Sequence, residues 1–222
     1  GDLTLASKTY PNFLEWKNRN RDLFDQKNLR AGNWTHVGPP SKPTGYDAGV
    51  GRVDFVRFDP TNSNTMYVST PDGGLWKTTN GNAALPNWTT KNDYLAVIGC
   101  SDLAIHPTNP STMYLATGSW ESDKKSIGVL KTVDGGANWT STSLVLHLSE
   151  GYVIRRLIMD PTNPLIMLAA TDGGVYRTTD GWATNSLTGL DNNYNINDIK
   201  FKPGDNMTVY ATGRTGLNTN IF

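Results

Sequence analysis

The chain is short of the residues that most often announce chemistry. Of 222 residues only one is cysteine, Cys100. That excludes an intrachain disulfide and any zinc site built on several thiolates. The flanks of Cys100 read as a strand, so a buried, inert thiol is expected. The three histidines, His36, His106 and His147, have no Cys or His neighbour at ligand spacing, and no His-rich metal site is expected. Weak calcium binding among Asp-rich turns is the one ion chemistry left open. No cofactor is expected, because neither a phosphate-cradling Gly-rich loop nor a dinucleotide fingerprint occurs. Net charge is also missing, with 20 basic side chains against 20 acidic. Nothing electrostatic therefore favours a nucleic acid or an acidic membrane as partner. The longest apolar run, Leu165 to Ala170, is far too short to span a bilayer. No basic segment followed by an apolar stretch opens the chain, so either no signal peptide ever existed or it is already gone.

What is abundant is turn and strand material. There are 22 glycines and 12 prolines, while charged residues make up only 18%. This mixture disfavours helices. Within it lies an internal repeat. An alternating strand runs into Asp-Pro or a relative, then a Thr-Asn turn, then a second strand. Its copies are Val53–Asn62, Asp102–Pro110, Arg156–Pro164 and Asp198–Asp205. The marker prolines are Pro60, Pro107, Pro161 and Pro203, at a spacing that suits a four-stranded antiparallel blade. A Gly-led third strand follows in Gly74-Leu75-Trp76-Lys77-Thr78, Gly128-Val129-Leu130-Lys131-Thr132 and Gly174-Val175-Tyr176-Arg177-Thr178.

After the third strand comes a polar turn. Thr132-Val133-Asp134-Gly135-Gly136-Ala137-Asn138-Trp139 fits Ser/Thr-x-Asp-x-Gly-x-x-Trp in full. Thr78-Thr79-Asn80-Gly81 is a degenerate copy whose Trp is displaced to Trp88. Thr178-Thr179-Asp180-Gly181-Trp182 is another, with Trp182 where the motif wants glycine. The carboxylate is expected to accept backbone N–H bonds inside its own hairpin, glycine to supply positive φ, and the indole to pack over the turn. Recurrence of the position argues for a structural Asp134 and Asp180 rather than catalytic ones.

These segments resemble the Asp-box (BNR-type) β-propellers, which include sialidases, sortilin-type domains, xyloglucanase-type glycosidases and a photosystem assembly factor. The stretches Trp34–Pro39, Gly73–Thr78 and Ile127–Gly136 are most similar to those of large secreted Bacteroidetes proteins of the type IX secretion cargo kind. The resemblance implies an all-β partial propeller of about three and a half blades, with units near 51–95, 98–143, 152–190 and 196–222. It covers 34–222. Residues 1–33 stand apart as a short helical cap, with Phe13, Trp16, Leu23 and Phe24 at one-face spacing.

The resemblance specifies the fold better than the activity. Loops between the second and third strands and between blades share the face that propellers use for their sites. Candidates there are Asp47, Arg52, Asp54 and Asp72 in the first unit, the longer loop with Trp120, Glu121 and Asp123 in the second, Glu150, Tyr152, Arg155 and Arg156 at the entry to the third, and Arg214 in the fourth. Asp72, Asp54 and Asp47 are the weak catalytic candidates. Thr70-Pro71-Asp72-Gly73-Gly74 resembles the xyloglucanase Thr-Asp-x-Gly-Gly stretch, but the acid would align with Pro71. A sialidase would need three arginines around a carboxylate, for which Arg52, Arg155 and Arg214 are available. Trp120 with Glu121 and Asp123 offers a sugar-stacking patch. The leading expectation is a non-catalytic extracellular binding or scaffold module for carbohydrate or protein, completed by further blades or a ring-completing partner. The alternative is a glycoside hydrolase with part of its site in other blades. An arginine-rich patch would point instead to an assembly chaperone, and the arginines look scattered.

Overall fold

The computed structural model describes residues 52–222 except positions 121, 192 and 217. The expected N-terminal helix, Asp47 and Glu121 lie outside the described residues. The described part is all-β apart from one 3-10 turn, Leu148–Glu150. Four antiparallel sheets follow one another along the chain. The first holds β1 (Phe55–Asp59), β2 (Asn62–Thr70), β3 (Gly74–Thr78) and β4 (Thr89–Thr90). The second holds β5 (Cys100–Ile105), β6 (Met113–Thr117), β7 (Gly128–Thr132) and β8 (Thr140–Val145). The third holds β9 (Ile154–Met159), β10 (Met167–Thr171), β11 (Gly174–Thr178) and β12 (Ser186–Leu187). The fourth holds β13 (Asn195–Lys202), β14 (Asp205–Thr215) and β15 (Asn218–Ile221). Within each sheet, strands lie side by side in chain order. The leading strands β1, β5, β9 and β13 are neighbours in sequence from sheet to sheet. Each sheet is thus a blade with its first strand innermost, and the whole is a partial β-propeller.

Apolar alternation explains the stacking. One buried cluster joins the first two blades through Phe55, Tyr67 and Leu75 against Leu103, Met113 and Leu115. A second joins the middle blades through Tyr114, Leu144 and Val129 against Ile154, Leu157 and Trp182. A third joins the last two through Leu168 and Val175 against Ile196, Ile199 and Ala211. The central strands β6 and β10 are buried at every residue, because each has a blade on both sides. In β2 burial alternates instead, and on β1 Val56 and Phe58 stay 45% and 57% exposed. That face of the first blade has no partner among the described residues.

Polar links run beside these clusters. Asp102 is buried and accepts N–H bonds from Leu103 at 2.9 Å and from Leu157 of the next blade at 3.0 Å. It also takes the Arg57 guanidinium of the preceding blade. One carboxylate therefore ties three blades. Asp198 repeats part of the pattern, accepting from Arg156 Nε at 2.8 Å and from Ile199 N at 3.0 Å.

The turn chemistry follows from single atoms. Asp59 and Asp160 each accept the backbone N–H two residues on, at 2.8 and 2.7 Å. His106 holds the same place and accepts through Nδ1 from Thr108 and Asn109 at 3.3 and 3.1 Å. The glycines that open the third strands all have positive φ: 74° at Gly74, 105° at Gly128 and 101° at Gly174. A Cβ there would strike the Asn92 side chain, the Leu144 carbonyl or the Leu190 carbonyl. Cys100 is buried beside Ser69, and burial pushes its thiol up to about 12, which leaves it inert at neutral pH.

The polar hairpin of the second blade works as its residues suggest. Asp134 Oδ1 accepts from the Thr132 hydroxyl at 2.7 Å and from Ala137 and Asn138 N–H at 2.9 Å. Bonds from Asn138, Thr132 and Ala137 hold its carboxyl well below the usual range. Asn80 accepts from Asn87 N–H at 2.9 Å, so Asn87 matches Asn138 and Trp88 matches Trp139 despite the inserted residues. The indole does more than cover its own turn. Trp139 Nε1 donates to the Lys91 carbonyl at 2.9 Å, at the end of the preceding blade. In the third blade Thr184 N–H bonds Asp180 at 2.9 Å as Asn138 bonds Asp134, which puts Asn185 at the Trp139 position. Trp182 meanwhile adopts φ 65° where Gly136 has 86°, and buries its ring against the second blade.

Candidate functional site

One position in the repeat aims a polar side chain at the propeller axis in every blade. It lies six residues before the marker proline and holds Asp54, Ser101, Arg155 and Asn197. In β5, β9 and β13 that residue is skipped in the pairing. Cys100 faces Thr117 and Asp102 faces Ala116; Ile154 faces Thr171 and Arg156 faces Ala170; Ile196 faces Gly213 and Asp198 faces Thr212. Each is a β-bulge, which re-aims the extra side chain and leaves its neighbours in the blade. All four residues line one cavity of about 180 Å³. Arg52, Arg156, Ser119 and Trp120 complete its polar and aromatic wall.

Trp120 reaches the cavity on a small hairpin. Ser119 and Lys124 exchange backbone bonds at 2.8 Å in both directions, and Asp123 turns the tip with φ 55°. The Arg155 guanidinium sits 4.6 Å from the Trp120 ring centre and donates through Nε to Asp172 at 2.7 Å. Trp120 nevertheless keeps 51% of its surface exposed. Arg52 lies 3.4 Å from Asp54, whose side chain is only 10% exposed.

The candidates therefore divide. Arg52, Asp54, Trp120 and Arg155 come together. Arg214 does not join them: it is exposed on β14 opposite Asn195, and Arg156 takes the third arginine place. The arginines are less scattered than the sequence suggests. Asp72 and Asp123 line a separate groove of about 570 Å³ with an apolar floor of Ala96, Val97 and Ile98. There Asp72 lies 3.7 Å from Lys124, and the Asp123 carboxylate accepts from Lys125 at 2.6 Å, a bond that lowers its carboxyl. Trp120 and Asp123 thus serve different cavities. Asp54 and Asp72 likewise open on different cavities and do not flank a common bond. Among the described residues no cluster of three His, Cys, Asp or Glu could hold a metal ion. Arg156, a candidate at the entry to the third blade, is also in the lining, whereas Ser101 and Asn197 are lining residues not named among the sequence candidates. The offset from the marker proline was the available signal.

No family model matches the chain. It is similar to xyloglucanases. It is 29% identical over 150 residues to a xyloglucanase of Paenibacillus sp., covering 62% of this chain and 14% of that protein. It is 26% identical over 180 residues to an oligoxyloglucan-reducing end-specific xyloglucanase of Emericella nidulans, covering 74% of this chain and 22% of that protein. Among solved structures, a GH74 enzyme of Niastella koreensis matches with TM-score 0.57 and 26% identity over 77% of this chain and 28% of its own. The GH74 xyloglucanase of Xanthomonas campestris matches with TM-score 0.58 and 21% identity over 76% of this chain and 28% of its own, a likeness of fold. The chain thus spans less than a third of the length of each of these relatives.

Proposed function

We propose that the chain is part of a secreted glycoside hydrolase propeller of the Asp-box kind that acts on xyloglucan, and that these blades supply glycan-binding surface rather than the acids. The observation that carries this is the sequence likeness to xyloglucanases along 62–74% of the chain. It favours the hydrolase alternative over a purely non-catalytic scaffold. The glycan would lie along the face that bears Trp120 and Asp72.

Hydrolysis needs two carboxyls across one glycosidic bond. Asp72 and Asp54 do not meet that need, and Pro71 occupies the acid's place in the Thr-Asp-x-Gly-Gly alignment. The acids then come from other blades of a longer protein, or from a partner that completes the ring. The same separation of Asp72 and Asp54 supports a second reading, in which this propeller binds glycan without cleaving it. Delivery by the type IX route belongs to either reading.

The test is a reducing-end assay on xyloglucan with the full-length protein, alongside calorimetry of the 222-residue chain with xyloglucan oligosaccharides. Release of oligosaccharides that survives Asp72→Asn supports the first reading. Binding without release supports the second. Failure of both proteins to bind xyloglucan refutes the two together.

A further inference from the structure

The axial cavity has a marked surplus of hydrogen-bond donors. A guanidinium carries five N–H donors and no acceptor. Arg155 and Arg156 each engage an aspartate, Asp172 and Asp198, through Nε. Those ion pairs leave the Nη hydrogens of both unspent. Ser101 Oγ is buried at the same cavity with no hydrogen-bond partner. The one carboxylate among the described lining residues, Asp54, is already engaged by Arg52 at 3.4 Å and by the Ser119 hydroxyl at 3.4 Å. A buried hydroxyl left unmatched is costly, and donors without acceptors select a ligand rich in acceptors. A neutral sugar, whose hydroxyls donate as readily as they accept, meets this wall poorly. A carboxylate meets it well, since planar guanidinium groups bind carboxylates with strong charge-assisted bonds.

Two further observations define the rest of the ligand. Trp120 stands at the rim with half its surface open, while Arg155 lies against its ring. Aromatic faces of this kind carry the apolar face of a pyranose. The volume, about 180 Å³, is below the usual range for drug-sized ligands and suits one sugar ring rather than an oligomer.

We propose that this cavity binds a hexuronate unit, a pyranose bearing a carboxylate, with its acid group among Arg155, Arg156 and Ser101 and its ring against Trp120. The inference rests on the glycan-facing reading of this side of the blades and adds an acidic sugar to it. No bond is made or broken in the site.

The test is calorimetry of the 222-residue chain with D-glucuronate, D-glucose and acetate. Glucuronate is expected to bind at least about tenfold more tightly than either of the others, since one charge-assisted hydrogen bond is worth that much. Arg156→Gln, Ser101→Ala and Trp120→Ala should each weaken it, Arg156→Gln by about tenfold or more. Arg214→Gln, a charge change outside the cavity, should leave it unchanged. Because Arg156 also holds Asp198, each variant's thermal midpoint is measured, and Ser101→Ala decides if Arg156→Gln unfolds. The proposal is overturned if glucuronate fails to bind, if glucose or acetate binds as well, or if Arg214→Gln weakens binding as much as Arg156→Gln. Loss of glucuronate binding with xyloglucan oligosaccharide binding intact overturns this inference and leaves the hydrolase reading standing.

Discussion

Restoring the repeat's own glycine at position 182 should make the protein less stable. Trp182 occupies a left-handed conformation, φ 65°, which costs a non-glycine residue about 1–2 kcal/mol. Its indole Nε1 is buried without a partner, a further penalty of about 1 kcal/mol. Judged by the backbone alone, Trp182→Gly should stabilise. Against this stands the burial of the whole ring, 1% exposed, among Tyr114, Leu144 and Met167. Removing a large aromatic from such a site costs about 3–5 kcal/mol, because the cavity closes only in part. The burial wins by up to about 3 kcal/mol, about 1.5 kcal/mol at the middle of the range. For a chain of this size, at about 2–4 °C per kcal/mol, the middle of that range is a fall in Tm of about 3–6 °C.

Trp182→Ala separates the two effects. It loses the same ring but keeps the left-handed strain, so it should melt below Trp182→Gly by about 0.5–1 kcal/mol once glycine's extra chain entropy is allowed for. Urea and thermal unfolding followed by near-ultraviolet circular dichroism read both. A Trp182→Gly protein as stable as the parent, or an alanine variant more stable than the glycine one, would refute the reasoning.

Other expectations follow from single groups. Asp102→Ala should cost about 3–5 kcal/mol, because it strands Arg57 and the Leu157 N–H; denaturant titration reads it. Asp134→Ala should lower Tm while leaving ligand binding at the opposite face unchanged, as the carboxylate serves only its own hairpin. The Asp180 carboxyl is held down to about 2, first by the Thr184 hydroxyl and then by backbone and Thr178 bonds. A depressed folded pKa gives stability that is full above the unfolded value near 4 and is lost as pH falls through about 2. Acid titration of Asp180→Asn should therefore show a flatter loss over that window than the parent. Cys100 should resist thiol reagents in the native state and react on unfolding, since its thiol is buried and raised to about 12.

The blades were legible in the sequence because a repeat writes the same local physics several times. The Asp-Pro markers placed β1, β5, β9 and β13, and the glycines of the third strands placed β3, β7 and β11, since Gly74, Gly128 and Gly174 meet backbone or side chain where a Cβ would sit. Much of the candidate site was legible too: Arg52, Asp54, Trp120, Arg155 and Arg156 were candidates and do converge. Arg214 was misplaced because loop position alone does not say which way a strand-end side chain points. Asp72 and Asp123 were grouped with the axis for the same reason, although the β2–β3 turn and the Ser119–Lys124 hairpin carry them to another groove. Trp182 read as a defect in the motif. In space it restores the contact with the preceding blade that Asn185 at the Trp139 position cannot make with an apolar ring.

Two of the axial residues, Ser101 and Asn197, were hidden by the alternation that revealed the strands. In a strand of period two, the residue six before each proline ought to point into a blade interface. A bulge adds one residue without a pairing partner, and that residue leaves the alternation. Ser101, Arg155 and Asn197 are each the unpaired residue of an inner strand. They differ in charge and size although they hold one structural position. The flanking residues that pack between blades remain constrained: Leu103, Leu157 and Ile199 all lie inside the interblade clusters. The bulge thus uncouples what faces the axis from what holds the blades together. A substitution at Ser101 or Asn197 should alter ligand preference at little cost to stability, whereas one at Leu103 or Ile199 should do the reverse. Paired measurements of Tm and glucuronate affinity for Asn197→Asp and Ile199→Ala distinguish the two kinds of position. An Asn197→Asp variant that loses as much stability as Ile199→Ala would show that the bulge residue is part of the packing after all.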